Sequence, residues 1–300
     1  MRLMEIIVRR PKHDETQIVS RIWETVFGAT DTELFFNHYY DPEFCAVAIY
    51  DNMPVAAGHL IPVGDFVFGD FSAPCAMIYA VATLPQMRGC GYGSAVVREL
   101  ISLAYSADEM VAALCPSDDE LFGYYASHTA MCDFFYANEK CYENARLTRG
   151  SAELAMISPA EYGRLRETFL LGVPHIIMDF RALSYQNSLC ALFGGGLIRV
   201  ETPDGICCAV VERQSRETMW VKEMLIPQAF AGLKAEEFTQ QVLSEIGAAF
   251  AAERYIVRTP AARSETGFPG RRFGMLAAQL RLTESFSESL FKPWIGLAFD

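Results

Sequence analysis

Arg88-Gly-Cys-Gly-Tyr-Gly-Ser94 follows an apolar run, Ile78-Tyr-Ala-Val-Ala-Thr83, and a short joint, Leu84-Pro-Gln-Met87; after it comes Ala95-Val-Val-Arg-Glu-Leu-Ile-Ser-Leu103. The run before the glycines predicts a buried strand. The segment after them predicts an amphipathic helix, with Val96, Val97, Leu100, Ile101 and Leu103 on or near one face. Gly89, Gly91 and Gly93 permit backbone conformations and close approaches that a side chain obstructs. Several N–H groups can therefore converge on an anion at the helix N-terminus, where the dipole also favours negative charge. Arg88 adds a guanidinium, and the stretch reads as a diphosphate cradle. Two other phosphate motifs do not fit: a P-loop needs a lysine that is absent here, and the pattern G-x-G-x-x-G puts its third glycine where Ser94 stands. The remaining alternative is a tight strand-to-helix turn with a solvated arginine.

Composition sets outer bounds. A chain of 300 residues, 51% hydrophobic and 21% charged, can form two globular domains and has no signature of disorder. The net charge of −12 disfavours nucleic acid and an anionic membrane surface, and is compatible with a cationic, amine-bearing substrate. The start Met1-Arg-Leu-Met-Glu5 lacks a signal-peptide core, and no apolar run approaches the roughly 20 residues that span a bilayer, so a cytoplasmic protein is expected. The 9 cysteines form no C-x-x-C pair, which predicts reduced thiols used mostly as small core residues. Cys90 lies inside the glycine loop, where a backbone role is favoured over that of a nucleophile. The five histidines are scattered and no ligand cluster stands out, so no metal is expected.

In order, the first half reads as a strand (Met4–Arg9), a helix from Asp14 to Phe27, a helix to about Tyr40, and strands Phe44–Tyr50 and Val55–Val63 joined at Asp51-Asn52. Then come the central strand, the cradle and its helix to about Ser106, a short strand Val111–Cys115, and a helix opened by the capping box Ser117-Asp-Asp-Glu120. That order, the pattern Arg88-x-x-Gly91-x-Gly93 after Val81-Ala-Thr83, and Leu121-Phe-Gly-Tyr-Tyr125 near the end together resemble the GCN5-related N-acetyltransferase (GNAT) family. The resemblance implies that acetyl-CoA is the co-substrate. It implies that Arg88, Gly89, Cys90, Gly91, Tyr92, Gly93 and Ser94 hold the pyrophosphate, and that Val81, Ala82 and Thr83 accept the pantetheine arm and the acetyl carbonyl. Tyr125 matches the family's tyrosine that protonates the departing thiolate, although Thr129-Ala130 stands where the usual Gly-Phe follows; a packed aromatic is the alternative.

The second half repeats the plan: two helices (Ser158 to about Leu171, Asp179 to Phe193), strands Leu197–Thr202, Ile206–Arg213 and Met219–Ile226, helix Glu236–Phe250 and strand Tyr255–Arg258. Where the cradle would recur stands Pro227-Gln-Ala-Phe-Ala-Gly-Leu233, without arginine or paired glycines, so this copy is not expected to hold CoA. The predicted fold class is α/β (α+β), with tandem GNAT-like mixed sheets flanked by helices: a catalytic domain over 1–150 and a degenerate copy over 151–300. A catalytic copy, a degenerate one and a returning tail resemble the enhanced intracellular survival subgroup. There the C-terminal carboxylate is the base, which maps onto Asp300 after the apolar tail Trp294-Ile-Gly-Leu-Ala-Phe299. By residue type alone, Glu24, Glu33, His59 and Glu223 are also candidates. The function implied is direct acetyl transfer to a primary amine of a small molecule or peptide; the alternative is a non-catalytic acyl-CoA sensor.

Overall fold

The computed structural model describes residues 6–109, 111–144, 152–230, 232–262, 270–278 and 289–300. The chain divides into two compact units. The first is Met1–Phe66, Ser72–Phe134 and Gly274–Glu284; the second is Val67–Phe71, Phe135–Phe273 and Ser285–Asp300. The expected dividing point at 150 and the expected strand start at Met4 lie outside the described residues.

The first unit begins with β1 (Ile7–Arg9), α1 (Thr16–Phe27) and α2 (Thr32–His38). It continues through β2 (Cys45–Tyr50), β3 (Met53–Phe68), β4 (Phe71–Thr83), α3 (Tyr92–Ser106), β5 (Val111–Leu114) and α4 (Asp119–His128). Asp51 and Asn52 adopt positive φ (47° and 62°), the conformation that closes a two-residue hairpin with the right twist, and β2 and β3 pair antiparallel from there. β4 and β5 are parallel, so α3 is the crossover between them. Its apolar stripe, Val96, Val97, Leu100, Ile101 and Ala104, packs on Ala46, Ala48, Leu60, Ala76 and Ile78 of the sheet. Each large side chain buried there contributes about 1.5–3 kcal/mol. The cap of α4 differs by one residue from the expected box: Asp118, in extended conformation, accepts the Leu121 N–H at 3.0 Å, and Ser117 stands outside.

The second unit contains β6 (Cys132–Glu143), β7 (Glu153–Met156), α5 (Pro159–Phe169), β8 (His175–Met178) and α6 (Phe180–Leu192). β9 (Gly196–Thr202), β10 (Gly205–Arg213), β11 (Thr218–Leu225), α7 (Gly232–Ala249) and β12 (Arg254–Pro260) complete it. Ser158 and Asp179 cap α5 and α6 as their positions in the sequence suggest. β9, β10 and β11 are antiparallel neighbours, and β11 and β12 are parallel across α7, which reproduces the plan of β2, β3, β4, α3 and β5. Four strands had no clear signal in the sequence: β6, β7, β8 and β13 (Arg271–Ala278). β6 is charged and lacks a clean alternation; it is a strand because it pairs with β12, Ala137 opposite Pro260 through Glu143 opposite Arg254. Met275–Ala278 of β13 pair antiparallel with β5, returning late sequence to the first unit.

Candidate active site

The β4–β5 ladder runs from Cys75 opposite Val111 to Ile78 opposite Leu114 and ends there, while β4 continues to Thr83. Two residues past the last pair, Ala80 has φ +49°, a left-handed conformation that costs an alanine about 1–2 kcal/mol. The kink and the end of the β4–β5 ladder place residues 79–83 of β4 beside the opening of the crossover. Backbone strain at such a place is a pointer to function.

A single 3₁₀ turn, Pro85–Met87, then leads to the glycine loop. Arg88 is exposed, and its Nε donates to the Thr83 carbonyl at 3.3 Å, which ties the guanidinium to the end of β4. Gly89 (φ +76°) and Gly91 (φ +84°) need the left-handed region that other residues resist. Gly91 is the N-cap of α3 and, having no side chain, contributes no cap hydrogen bond. The first-turn N–H groups have no intrahelical acceptor, so they and the dipole face outward together. Among the described residues the Ser94 N–H is met by the Tyr124 hydroxyl at 3.2 Å, and the Ser94 hydroxyl turns back to the Gly91 carbonyl at 3.0 Å. Cys90 is exposed, its thiol directed to the Arg88 carbonyl. A glycine-led helix start, two left-handed glycines and one guanidinium suit a phosphate-type anion.

The two tyrosines of α4 have different surroundings. Tyr125 and Phe122, one helical turn apart, are buried in the core of the first unit. Burial first, then Tyr124 and Asp118, push the Tyr125 hydroxyl up to about 12. Tyr124, paired in spacing with Leu121, is half-buried and places its hydroxyl against the first turn of α3. The i, i+3 spacing separates these two stripes in the sequence and was the available signal for Tyr124.

The candidate proton acceptors are equally distinct. Glu24 and Glu33 are exposed. His59 is 3% exposed among the rings of Trp23, Phe35, Phe36 and Tyr40, with centroids 4.8–6.1 Å away; among the described residues its Nδ1 has no hydrogen-bond partner, and burial pushes its pKa down to about 3. Glu223, in the second unit, is fully buried and committed: it accepts from Tyr162 (2.6 Å), Arg166 (2.9 and 3.2 Å) and Trp294 (2.7 Å). Asp300 lies in the same unit, its Oδ2 2.9 Å from Arg258 and its Oδ1 4.0 Å from Lys222. Burial pulls this carboxyl up, but Arg258 and then Lys222 outweigh it and hold it at about 2. The tail before it is anchored: Trp294, Ile295, Leu297, Ala298 and Phe299 are buried, and the Phe299 N–H donates to Gln186. Among the described residues no cluster of three metal-ligating side chains occurs, and no helix is long and apolar enough to cross a membrane.

Residues 7–127 match the profile of the acetyltransferase (GNAT) domain family. No curated protein matches by sequence. Among solved structures, a probable N-acyltransferase of unknown function from Enterococcus faecalis aligns at TM-score 0.64 and 14% identity, covering 91% of this chain and 72% of that one. Eis1 from Mycobacterium abscessus aligns at 0.58 and 12%, covering 91% and 73%. A tandem GNAT protein from the clavulanic acid pathway aligns at 0.52 and 12%, covering 91% and 98%. The profile match, the repeated crossover and these alignments agree: residues 7–127 are similar to the GNAT acetyltransferase domain, in a chain that shares the fold of these GNAT structures.

Proposed function

We propose that this protein transfers an acetyl group from acetyl-CoA to a primary amine of a small molecule or peptide. The observation that carries the reading is the glycine-led start of α3, set directly after the stretch of β4 that kinks at Ala80 and runs on past its last pair with β5. Arg88 and the amides from Gly89 to Ser94 bind the diphosphate, and Ala82 and Thr83 line the arm. The amine nitrogen attacks the thioester carbon; the C–N bond forms, the C–S bond breaks, and the amine gives up a proton. A backbone N–H at Val81 stabilises the oxyanion. The thiolate takes its proton from α4: the family resemblance gives Tyr125, whereas the hydroxyl bordering the cradle is that of Tyr124. The terminal carboxylate of Asp300, distinct from the side chain held by Arg258, is the proposed proton acceptor, supported by the subgroup resemblance and by the anchored tail that fixes residue 300 within its unit.

The test is chromatographic detection of free CoA from acetyl-CoA across a panel of amines, with Arg88→Ala as control. Release above the no-amine rate, weakened at least about tenfold by the substitution, supports the reading, since loss of one charged contact is worth about 1.5–3 kcal/mol. Cofactor binding without turnover on any amine would make the protein an acyl-CoA sensor.

A further inference from the structure

The second unit contains a cleft of about 710 Å³ at the position where the first unit has its strand splay. The β11–β12 ladder ends at Val221 opposite Val257, yet β11 runs on to Leu225 and β12 to Pro260. The outer edges of both strand ends are paired, β11 with β10 as far as Leu225 and β12 with β6 as far as Pro260. Their inner edges diverge around the cleft. Its walls are mainly apolar, with Met224, Val257, Phe230 and Phe291 prominent, and α7 contributes Ala235, Glu236 and Thr239. The charged lining residues, Lys140 and Glu236, are paired at 2.8 Å, and Tyr142 also donates to Glu236, so the charges cancel within the lining. Asn138, which donates to the Thr259 hydroxyl at 3.4 Å, and Gln228 add neutral polar groups.

We propose that this cleft is a second ligand site, for an uncharged molecule that combines a hydrocarbon chain with a secondary amide. The volume lies in the range of small-molecule pockets, about 300–1,000 Å³. The walls require an apolar body. The cancelled ion pair gives neither an acid nor an amine a counter-charge, and the loop Pro227–Leu233 offers no phosphate cradle. Two diverged strand edges favour a ligand group that replaces the missing ladder partner, and an amide presents one donor and one acceptor in that geometry. The assignment stands independently of the reaction proposed for the first unit.

The experiment is calorimetric titration of the full chain, without CoA, using N-methyldecanamide, decanoate and decyltrimethylammonium. The amide is expected to bind at least about tenfold more tightly than either ion, a difference of about 1.4 kcal/mol. Ala235→Trp, which fills the cleft from α7, should weaken amide binding at least about tenfold, and Ala262→Trp, on an exposed lining residue, serves if the first variant misfolds. Acetyl-CoA should not displace the amide. Tighter binding of either ion, displacement by acetyl-CoA, no binding of the amide, or binding untouched by both tryptophans would each overturn the proposal.

Discussion

The two crossovers of this chain are built alike and finished differently. In each, a strand leaves its parallel partner, β4 after Ile78 and β11 after Val221, and an irregularity follows at once: φ +49° at Ala80, a bulge at Lys222 between Val221 and Glu223. At Ala80 the ladder with β5 has already ended, and the glycine-led start of α3 follows. Two residues past the last β11–β12 pair, Glu223 instead gathers Tyr162, Arg166 and Trp294. The loops diverge in the same sense. Gly91 opens α3 without a side-chain cap of its own, whereas Phe230 packs on Phe238 of α7 at 4.9 Å under Lys234 at 4.3 Å, and Gln228 is spent on the Phe169 and Leu171 carbonyls. A splayed pair of strands is thus a generic cleft; the few residues after it decide what enters.

The largest effect is expected at the buried ion pair of the second copy. Glu223→Ala leaves the Arg166 guanidinium, with no exposure, without its carboxylate, and removing one member of a buried pair costs about 3–5 kcal/mol. Urea unfolding followed by tryptophan fluorescence measures it; a loss below about 1 kcal/mol would mean that solvent already reaches the pair. At the first cleft the corresponding test is catalytic. Tyr124→Phe should lower kcat by about 10²-fold or more with little change in KM if its hydroxyl supplies the thiolate's proton, and Tyr125→Phe should change kcat little. The reverse ranking would return the role to the family position. Gly91→Val follows in size: a β-branched residue at φ +84° costs about 1–2 kcal/mol, so acyl-CoA affinity should fall at least about tenfold while the melting of the second unit is unchanged.

The cores differ in how they treat charge, which gives a pH test. The second unit pairs its buried ions, but the first holds His59 neutral, at about 3 against about 6.5 in an unfolded chain. Above pH ~6.5 both states are neutral and nothing is lost. Between about 6.5 and 3 the unfolded chain takes a proton that the folded one refuses, so stability falls by about 1.4 kcal/mol per pH unit. His59→Phe should flatten that slope relative to the parent chain; equal slopes would show that His59 is protonated in the fold.

Much of this was legible because local chemistry agreed with tertiary structure. The stripe of α3, the Asp51-Asn52 turn, and the caps at Ser158 and Asp179 each satisfy a rule within a few residues and appear where the sequence puts them. The glycine loop carried its own geometry, since Gly89 and Gly91 are required by backbone sign. What escaped depends on distant partners. β6 and β13 become strands only opposite β12 and β5, and Glu223, read by type as a possible base, is claimed by residues from α5 and the tail. Which of Tyr124 and Tyr125 faces the core is likewise set by packing rather than by motif.

The smallest effect tests whether the kink in β4 serves the site or only the fold. Glycine at 80 removes a left-handed strain of about 1–2 kcal/mol and adds about 0.5–1 kcal/mol of chain entropy to be lost on folding. Ala80→Gly should therefore stabilise the first unit by roughly 0.5–1 kcal/mol, read from the urea midpoint at constant slope. If the strained edge presets the slot for the acyl carbonyl, the same variant should lose turnover while it gains stability, the exchange expected where a site stores strain. A gain in stability with unchanged kcat/KM would make Ala80 a feature of the splay alone. It would then rank with the Lys222 bulge, and the difference between the two copies would reduce to the loop that follows.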